Sequence, residues 1–164
     1  MTVDRGAAEG QWSTWLERVT CDGWLDDPDA LQIWGYPSQP SHAPGDTVEL
    51  HVSTTADTWG YEVWRDGATF EKVLEADGFA GAAHPVPADV VGAGCGWPVG
   101  ASFEIPAHWA SGGYVVVLRG WRGDDEVTQD AFFVLRSGRP GADTRLAMIV
   151  ATYSWQEYLS LIHI

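Results

Sequence analysis

The amino-acid sequence predicts a mainly β protein: an antiparallel β-sandwich followed by the first strand of an α/β domain. Three observations lead to this prediction. Short segments that alternate between apolar and polar residues follow one another and are separated by turn residues. One pair of these segments is joined by Asp-Gly, which marks a hairpin. A continuous apolar run near the end of the chain is typical of a strand buried on both faces of a parallel sheet.

Residues 1–30 are predicted to form an N-terminal helix and an acidic loop. The apolar side chains of a short amphipathic helix recur at helical spacing over residues 8–19: Trp12, Trp15, Leu16 and Val19. The loop over residues 22–29 is rich in carboxylates and contains Pro28, which disfavours a helix interior.

The β-sandwich is predicted over residues 31–137. Its expected strands are 31–34, 48–52, 59–65, 69–74, 102–105, 113–118 and 131–136. Asp66-Gly67 joins two of them and predicts a two-residue turn in which both positions have positive φ. The polar residues 123–129 are expected to join the last two strands. Tyr114 follows a loop and begins a late strand, which is the place of a tyrosine corner, so the predicted sandwich is immunoglobulin-like.

The chain is strongly acidic. Its 9 basic and 23 acidic residues give a formal net charge of -14. Nucleic acids and anionic membrane surfaces both require a positive surface, so neither is an expected partner. Cys21 and Cys95 do not make a disulfide framework, and the prediction is a reduced, cytoplasmic protein. The sequence leaves open whether these two cysteines pair.

The motifs of the predicted sandwich do not indicate a catalytic site. The glycine-rich residues 92–96 precede a predicted strand, whereas a dinucleotide-binding loop opens a helix. Cys95 has no neighbouring His–acid pair and is interpreted as a packing thiol. The histidines lack metal-ligand spacing and are interpreted as surface or hydrogen-bonded residues: His42, His51, His84 and His108.

The sequence contains ten tryptophans, an unusual number for its length. Packing in the core or against another domain is the favoured interpretation, and stacking on a ligand is the alternative. Trp59 and Trp64 are expected on opposite faces of one strand, which places at least one of them toward solvent or another domain.

The end of the chain is predicted to start a second domain. Residues 138–143 have the composition of a linker, and residues 144–158 contain the apolar run LAMIVA at 146–151. The last six residues, LSLIHI at 159–164, match the translation of a sequencing-library adapter, and we interpret them as an artefact. The expectation is therefore a truncated N-terminal fragment.

Four segments in this order carry a family resemblance. They read IWGYPSQPSHAPGDTVELHVST at 33–54, FEIPAHWASGGYVVVL at 103–118, DAFFVLR at 130–136 and RLAMIVATYSWQEY at 145–158. Together they resemble the large (β) subunit of N,N-dimethylformamidase and its relatives, in which a β-sandwich precedes an α/β catalytic domain.

The resemblance implies that the parent protein is an amide hydrolase with a mononuclear iron that activates water. It suggests Tyr158 as an iron ligand, with Tyr153 as its competitor and the remaining ligands downstream. It also implies a small partner subunit, a homo-oligomer and contacts with the rest of the α/β domain. The fragment itself is then expected to be an inactive accessory sandwich without cofactor. The alternative is a non-catalytic sandwich that binds carbohydrate or protein.

Overall fold

The computed structural model describes residues 29–88 and 94–142. This part of the chain contains eight strands: β1 (Ile33–Pro37), β2 (Ser41–His42), β3 (Thr47–Thr54), β4 (Thr58–Asp66), β5 (Phe70–Ala80), β6 (Val99–Glu104), β7 (Gly112–Arg122) and β8 (Asp125–Leu135). The predictions for the N-terminal helix, the apolar run at 146–151 and the last six residues lie outside the described residues.

The strands form two sheets. One has the order β1-β3-β6, and the other has the order β2-β8-β7-β4-β5. All pairings are antiparallel except that of β2 with β8, which is parallel. The predicted β-sandwich is therefore confirmed, with one short parallel pair added to it.

The core lies between the two sheets because the strands alternate in the predicted way. On β3, Val48, Leu50 and Val52 are buried, whereas Thr47 and Glu49 are exposed. The inward residues of both sheets belong to one cluster of buried apolar side chains. Burial of each Val or Leu contributes about 1.5–3 kcal/mol.

The hairpin between β4 and β5 forms as predicted, but its predicted turn is wrong. Asp66 pairs with Phe70, so the loop consists of the three residues 67–69. Neither Asp66 nor Gly67 has a positive φ. The third loop residue relieves the need for the two left-handed positions that a two-residue turn would impose.

The hairpin between β7 and β8 is longer than the sequence pattern predicts. Arg122 pairs with Asp125, so most of the polar region 123–129 belongs to β8 and only Gly123 and Asp124 form the turn. Gly123 has a φ of 59° and Asp124 does not have a positive φ. This combination matches a type II′ turn, which places glycine at the first central position.

The tyrosine corner is confirmed. The Tyr114 hydroxyl donates a hydrogen bond of 2.7 Å to the carbonyl oxygen of Ala110. The Tyr114 ring is fully buried and stacks on Trp109 at 5.1 Å and on Phe133 at 5.3 Å between ring centroids. The bond and the stacked rings fix the loop before β7 against the core.

Several predicted strand boundaries differ from the structure, and those of β1 and β5 are examples. The first strand begins at Ile33 rather than at residue 31 and continues to Pro37. The strand predicted over 69–74 continues to Ala80. Two register shifts in its pairing with β4, between Trp59 and Tyr61 and between Val63 and Trp64, disturb the alternation that marks a strand in the sequence.

Candidate functional site

The residues that the sequence suggests as iron ligands, Tyr158 and Tyr153, lie outside the described residues. Within residues 29–88 and 94–142, no group of three or more His, Cys, Asp or Glu side chains could hold a metal ion. A catalytic iron needs several protein ligands in a fixed geometry. The described sandwich does not offer such a ligand set.

His42 is held inside the sandwich. Its Nε2 lies 3.2 Å from the carbonyl oxygen of Gln39, and its ring meets Phe133 edge-on at 5.6 Å. Only 2% of the residue is exposed. Burial lowers the pKa of His42, because it disfavours the charged imidazolium.

Three aromatic side chains, Tyr36, His51 and Trp97, form a cluster on the outer face of the smaller sheet. His51 stacks on Tyr36, and its Nδ1 donates a hydrogen bond of 2.7 Å to the carbonyl oxygen of Trp97. Cys95 lies in the same loop as Trp97, and burial raises the pKa of its thiol. A raised pKa leaves little thiolate, so the structure agrees with the interpretation of Cys95 as a packing thiol.

The glycine-rich loop leads into a strand, as predicted. Gly94 and Gly96 have positive φ values, and β6 begins at Val99, shortly after them. A phosphate-binding loop needs a following helix whose N-terminal amides face the ligand. This loop therefore lacks the geometry of a dinucleotide site.

An open cleft of about 330 Å³ lies between β5 and β6. Its lining is mostly apolar and includes Trp59, Phe79 and Val99, with His84 among the polar contributors. Val99 is 47% exposed. A single imidazole among apolar groups does not supply the paired acid and base that hydrolysis needs.

The outer face of the larger sheet has a charged half centred on Glu62. Its carboxylate accepts hydrogen bonds from Trp64 Nε1 at 2.9 Å, from Lys72 Nζ at 3.4 Å and from Arg119 Nη1 at 3.2 Å. Arg119 also pairs with Glu126, at 2.6 Å. Partial burial alone would raise the pKa of Glu62. The hydrogen bonds from Trp64 and Lys72 and the charges of Lys72 and Arg119 outweigh this effect, so the pKa of Glu62 lies below its ordinary value.

The other half of this outer face is apolar, and we call it the apolar patch. Strand pairing places Trp64 opposite Val115 and Val115 opposite Phe132, so these side chains share the face that points away from the core. Each patch residue is half-buried: Trp64, Phe70, Val115, Val117, Phe132 and Val134. Trp64 stacks on Phe70 at 5.0 Å.

The two tryptophans of β4 confirm the expected division of faces. Trp59 belongs to the core and is 2% exposed, whereas Trp64 lies on the outer face. The apolar patch itself was missed by the sequence analysis. Its signal was present, because residues 114–118 and 131–135 are apolar at consecutive positions rather than alternate ones. Such runs indicate strands that are covered on both faces.

The fold and these surfaces define a β-sandwich module with one outer face partly covered. The family model described as "N,N-dimethylformamidase beta subunit-like, C-terminal" matches residues 54–161. This match covers more than half of the sequence, so the chain belongs to that family.

The sequence and the structure were also compared with solved structures and with curated proteins. The chain is similar to a solved structure described as "Chimeric titin Z1Z2 functionalized with a KLER exogenous peptide from decorin". The two are 22% identical, with a TM-score of 0.31, over 66% of this chain and 98% of the other. None of the curated proteins matches the sequence.

No helix of the described residues has the length and apolar character needed to cross a membrane.

Proposed function

We propose that this chain is the accessory β-sandwich part of a cytoplasmic amide hydrolase related to the N,N-dimethylformamidase large subunit. The observation that carries the proposal is the family match, which runs from the last residue of β3 through the linker to residue 161. Sandwich and following segment thus belong to one family unit. The sandwich would support the catalytic part and would not perform the reaction.

The proposal places the iron after the linker. Tyr158 is the suggested phenolate ligand and Tyr153 its competitor, because ligand groups in α/β sheets gather just past the carboxyl ends of strands. Iron would supply Lewis-acid chemistry that activates water toward an amide carbonyl. A small partner subunit and a homo-oligomer belong to the same proposal.

A sugar-binding module is the less favoured function. Binding of sugars by stacking needs exposed aromatic rings. Trp64 is instead stacked on Phe70, and its indole N–H is bonded to Glu62. Trp59 is buried in the core. These contacts support packing as the role of both tryptophans.

The experiment compares this 164-residue chain with a chain extended by the natural downstream sequence. We expect the extended chain to bind about one iron ion and to release amine from small N-alkyl formamides, since a catalytic metal needs a complete ligand set. Elemental analysis and an amine assay measure both properties. Tyr158→Phe in the extended chain should lower iron content, whereas Tyr153→Phe should retain it.

Two results would contradict the proposal. Stoichiometric iron in the 164-residue chain would place the metal site before the chain's end. An extended chain that is inactive and free of iron, but binds oligosaccharides in a glycan array, would favour the sugar-binding module.

A further inference from the structure

The outer face of the larger sheet is divided into an apolar end and a charged end. The apolar patch lies where β8 ends, because Val134 precedes the last β8 residue, Leu135, and pairs with Gly113 near the start of β7. Glu62 and Arg119 occupy the other half, with Val117 beside Glu62, and Lys72 lies at the boundary, opposite Trp64 and over its ring. A segment that covers the patch must therefore be apolar and must approach the end of the sheet where β8 ends.

The two ends of the described sandwich chain lie at opposite ends of this sheet. Asp29 lies beside the end of β7, since its carbonyl oxygen accepts a hydrogen bond of 2.9 Å from Arg122 Nη1. The chain leaves β8 at Leu135, and the Arg136 amide donates a hydrogen bond to the His42 carbonyl. The described chain thus begins beside the charged end at Asp29 and leaves the sheet at the apolar end after Leu135.

The segment after the linker has the reach and the composition to cover the patch. The eight residues 136–143 would span about 26 Å if fully extended. A turn closed by the bond from the Ala142 amide to the Arg139 carbonyl shortens this reach, and the patch begins close by, at the end of β8. Residues 144–158 are largely apolar, with only Arg145 and Glu157 charged. Their run at 146–151 has the pattern of a strand that needs cover on both faces. Residues 1–28 are the less favoured occupant of the patch, because they contain more acidic residues and because Asp29, which follows them, lies at the charged end of the sheet.

We infer that the apolar patch is the docking surface for residues 144–158 of the same chain. The patch would cover one face of the apolar run, and the run would cover the outer faces of β7 and β8. The family match across residues 54–161 includes both surfaces. The inference rests on the proposed function only in naming the domain that begins at residue 144.

Photo-crosslinking of the 164-residue chain tests this inference. Phe132, at the patch, is replaced by the photo-reactive p-benzoylphenylalanine, which keeps the phenyl ring and extends it outward by a benzoyl group. After irradiation and proteolysis, mass spectrometry is expected to find intramolecular adducts with peptides from residues 144–158. Trp64, on the same patch, is a second position for the photo-reactive residue, and circular dichroism checks that each variant is folded.

Val99 is the matched control, because it is an exposed apolar strand residue on the other sheet. The same replacement there should give no adduct with residues 144–158. Val115→Asp, added to the Phe132 variant, should lower the adduct yield by about tenfold or more, because a carboxylate is costly to bury without a partner. Val99→Asp should leave that yield unchanged.

Three results would overturn the inference. They are adducts of the patch with residues 1–28, adducts between two copies of the chain, and a folded chain that gives no adduct at either patch position. The outcome does not depend on iron or amidase activity. A failure of the docking inference is therefore distinguishable from a failure of the proposed function.

Discussion

The hydroxyl of Tyr114 connects the start of β7 to the loop before it through the bond to Ala110. Tyr114→Phe removes this bond and keeps the ring between Trp109 and Phe133. We expect the free energy of unfolding to fall by about 1 kcal/mol, the usual net value of one hydrogen bond. Urea denaturation, followed by tryptophan fluorescence, measures the change.

Tyr61→Phe is the matched control for this prediction. Tyr61 is also a buried tyrosine of the larger sheet, with 4% exposure. Among the described residues, its hydroxyl has no hydrogen-bond partner. We expect this variant to change the unfolding free energy by less than about 0.5 kcal/mol. Equal losses in the two variants would mean that the tyrosine corner contributes nothing specific.

Burial of His42 makes stability depend on pH. Its pKa in the folded protein lies below the ordinary value, so near pH 6 the unfolded chain binds more protons than the folded one. The His42 contribution is therefore fully present above about pH 6.5 and is lost as the pH falls toward the lower, folded pKa. Asp46 and Arg136 are the charged groups that face it.

We expect the unfolding free energy to decrease between pH 7.5 and pH 5.5, by less than about 1.4 kcal/mol per pH unit. Urea denaturation at each pH measures it. His42→Gln should flatten this dependence, whereas the same change at the exposed His108 should not. The lowered pKa of Glu62 acts only below about pH 4.3, outside this window. An unchanged slope in His42→Gln would contradict the assignment to His42.

The two hairpins of the larger sheet depend on their glycines in different ways. Gly123 has a φ of 59°, a conformation that L side chains avoid. Gly123→Ala should therefore lower the unfolding free energy by about 1–2 kcal/mol. Gly123→Asn should cost less than Gly123→Ala, because Asn occurs more often at the positive-φ positions of hairpin turns. Thermal and urea denaturation measure the series.

Gly67→Ala in the other hairpin is the matched control. Gly67 does not have a positive φ, and an added Cβ would meet only the flexible end of Arg65, at 3.2 Å. We expect this variant to be as stable as the parent or more stable by about 0.4–1 kcal/mol, since alanine restricts the unfolded chain. A loss comparable to that of Gly123→Ala would show that the turn assignment is wrong.

The strands that the sequence predicted show either regular alternation or a continuous run of apolar residues. Val48, Leu50 and Val52 identify β3 because one side of that strand faces the core throughout. The length of β5 could not be predicted beyond Leu74, because register shifts break its alternation. The two residues of β2 are too short to show any pattern. Its parallel pairing depends on where β8 lies in space, which local sequence does not encode.

At the scale of the whole molecule, the family could be predicted from the sequence, whereas the surfaces of the sandwich could not. The family could be recognised from the sequence because four segments recur in order, and the family match confirms it. The suggested ligands Tyr153 and Tyr158 stay predictions, since they lie outside the described residues. The apolar patch became visible only in the structure. Strand pairing is needed to show that Val115, Phe132 and Trp64 share one face.

The parallel pair of β2 and β8 has a mechanical consequence. The chain enters the sandwich at one end and leaves it at the other, and β2 runs alongside β8 in the same direction. Tension applied along the polypeptide would slide these strands past each other. The bonds from the Val134 amide to Pro40 and from the Arg136 amide to His42 would then bear load together, in shear, rather than opening one after another. We therefore expect these two bonds to resist the separation of β2 from β8 when the chain is stretched.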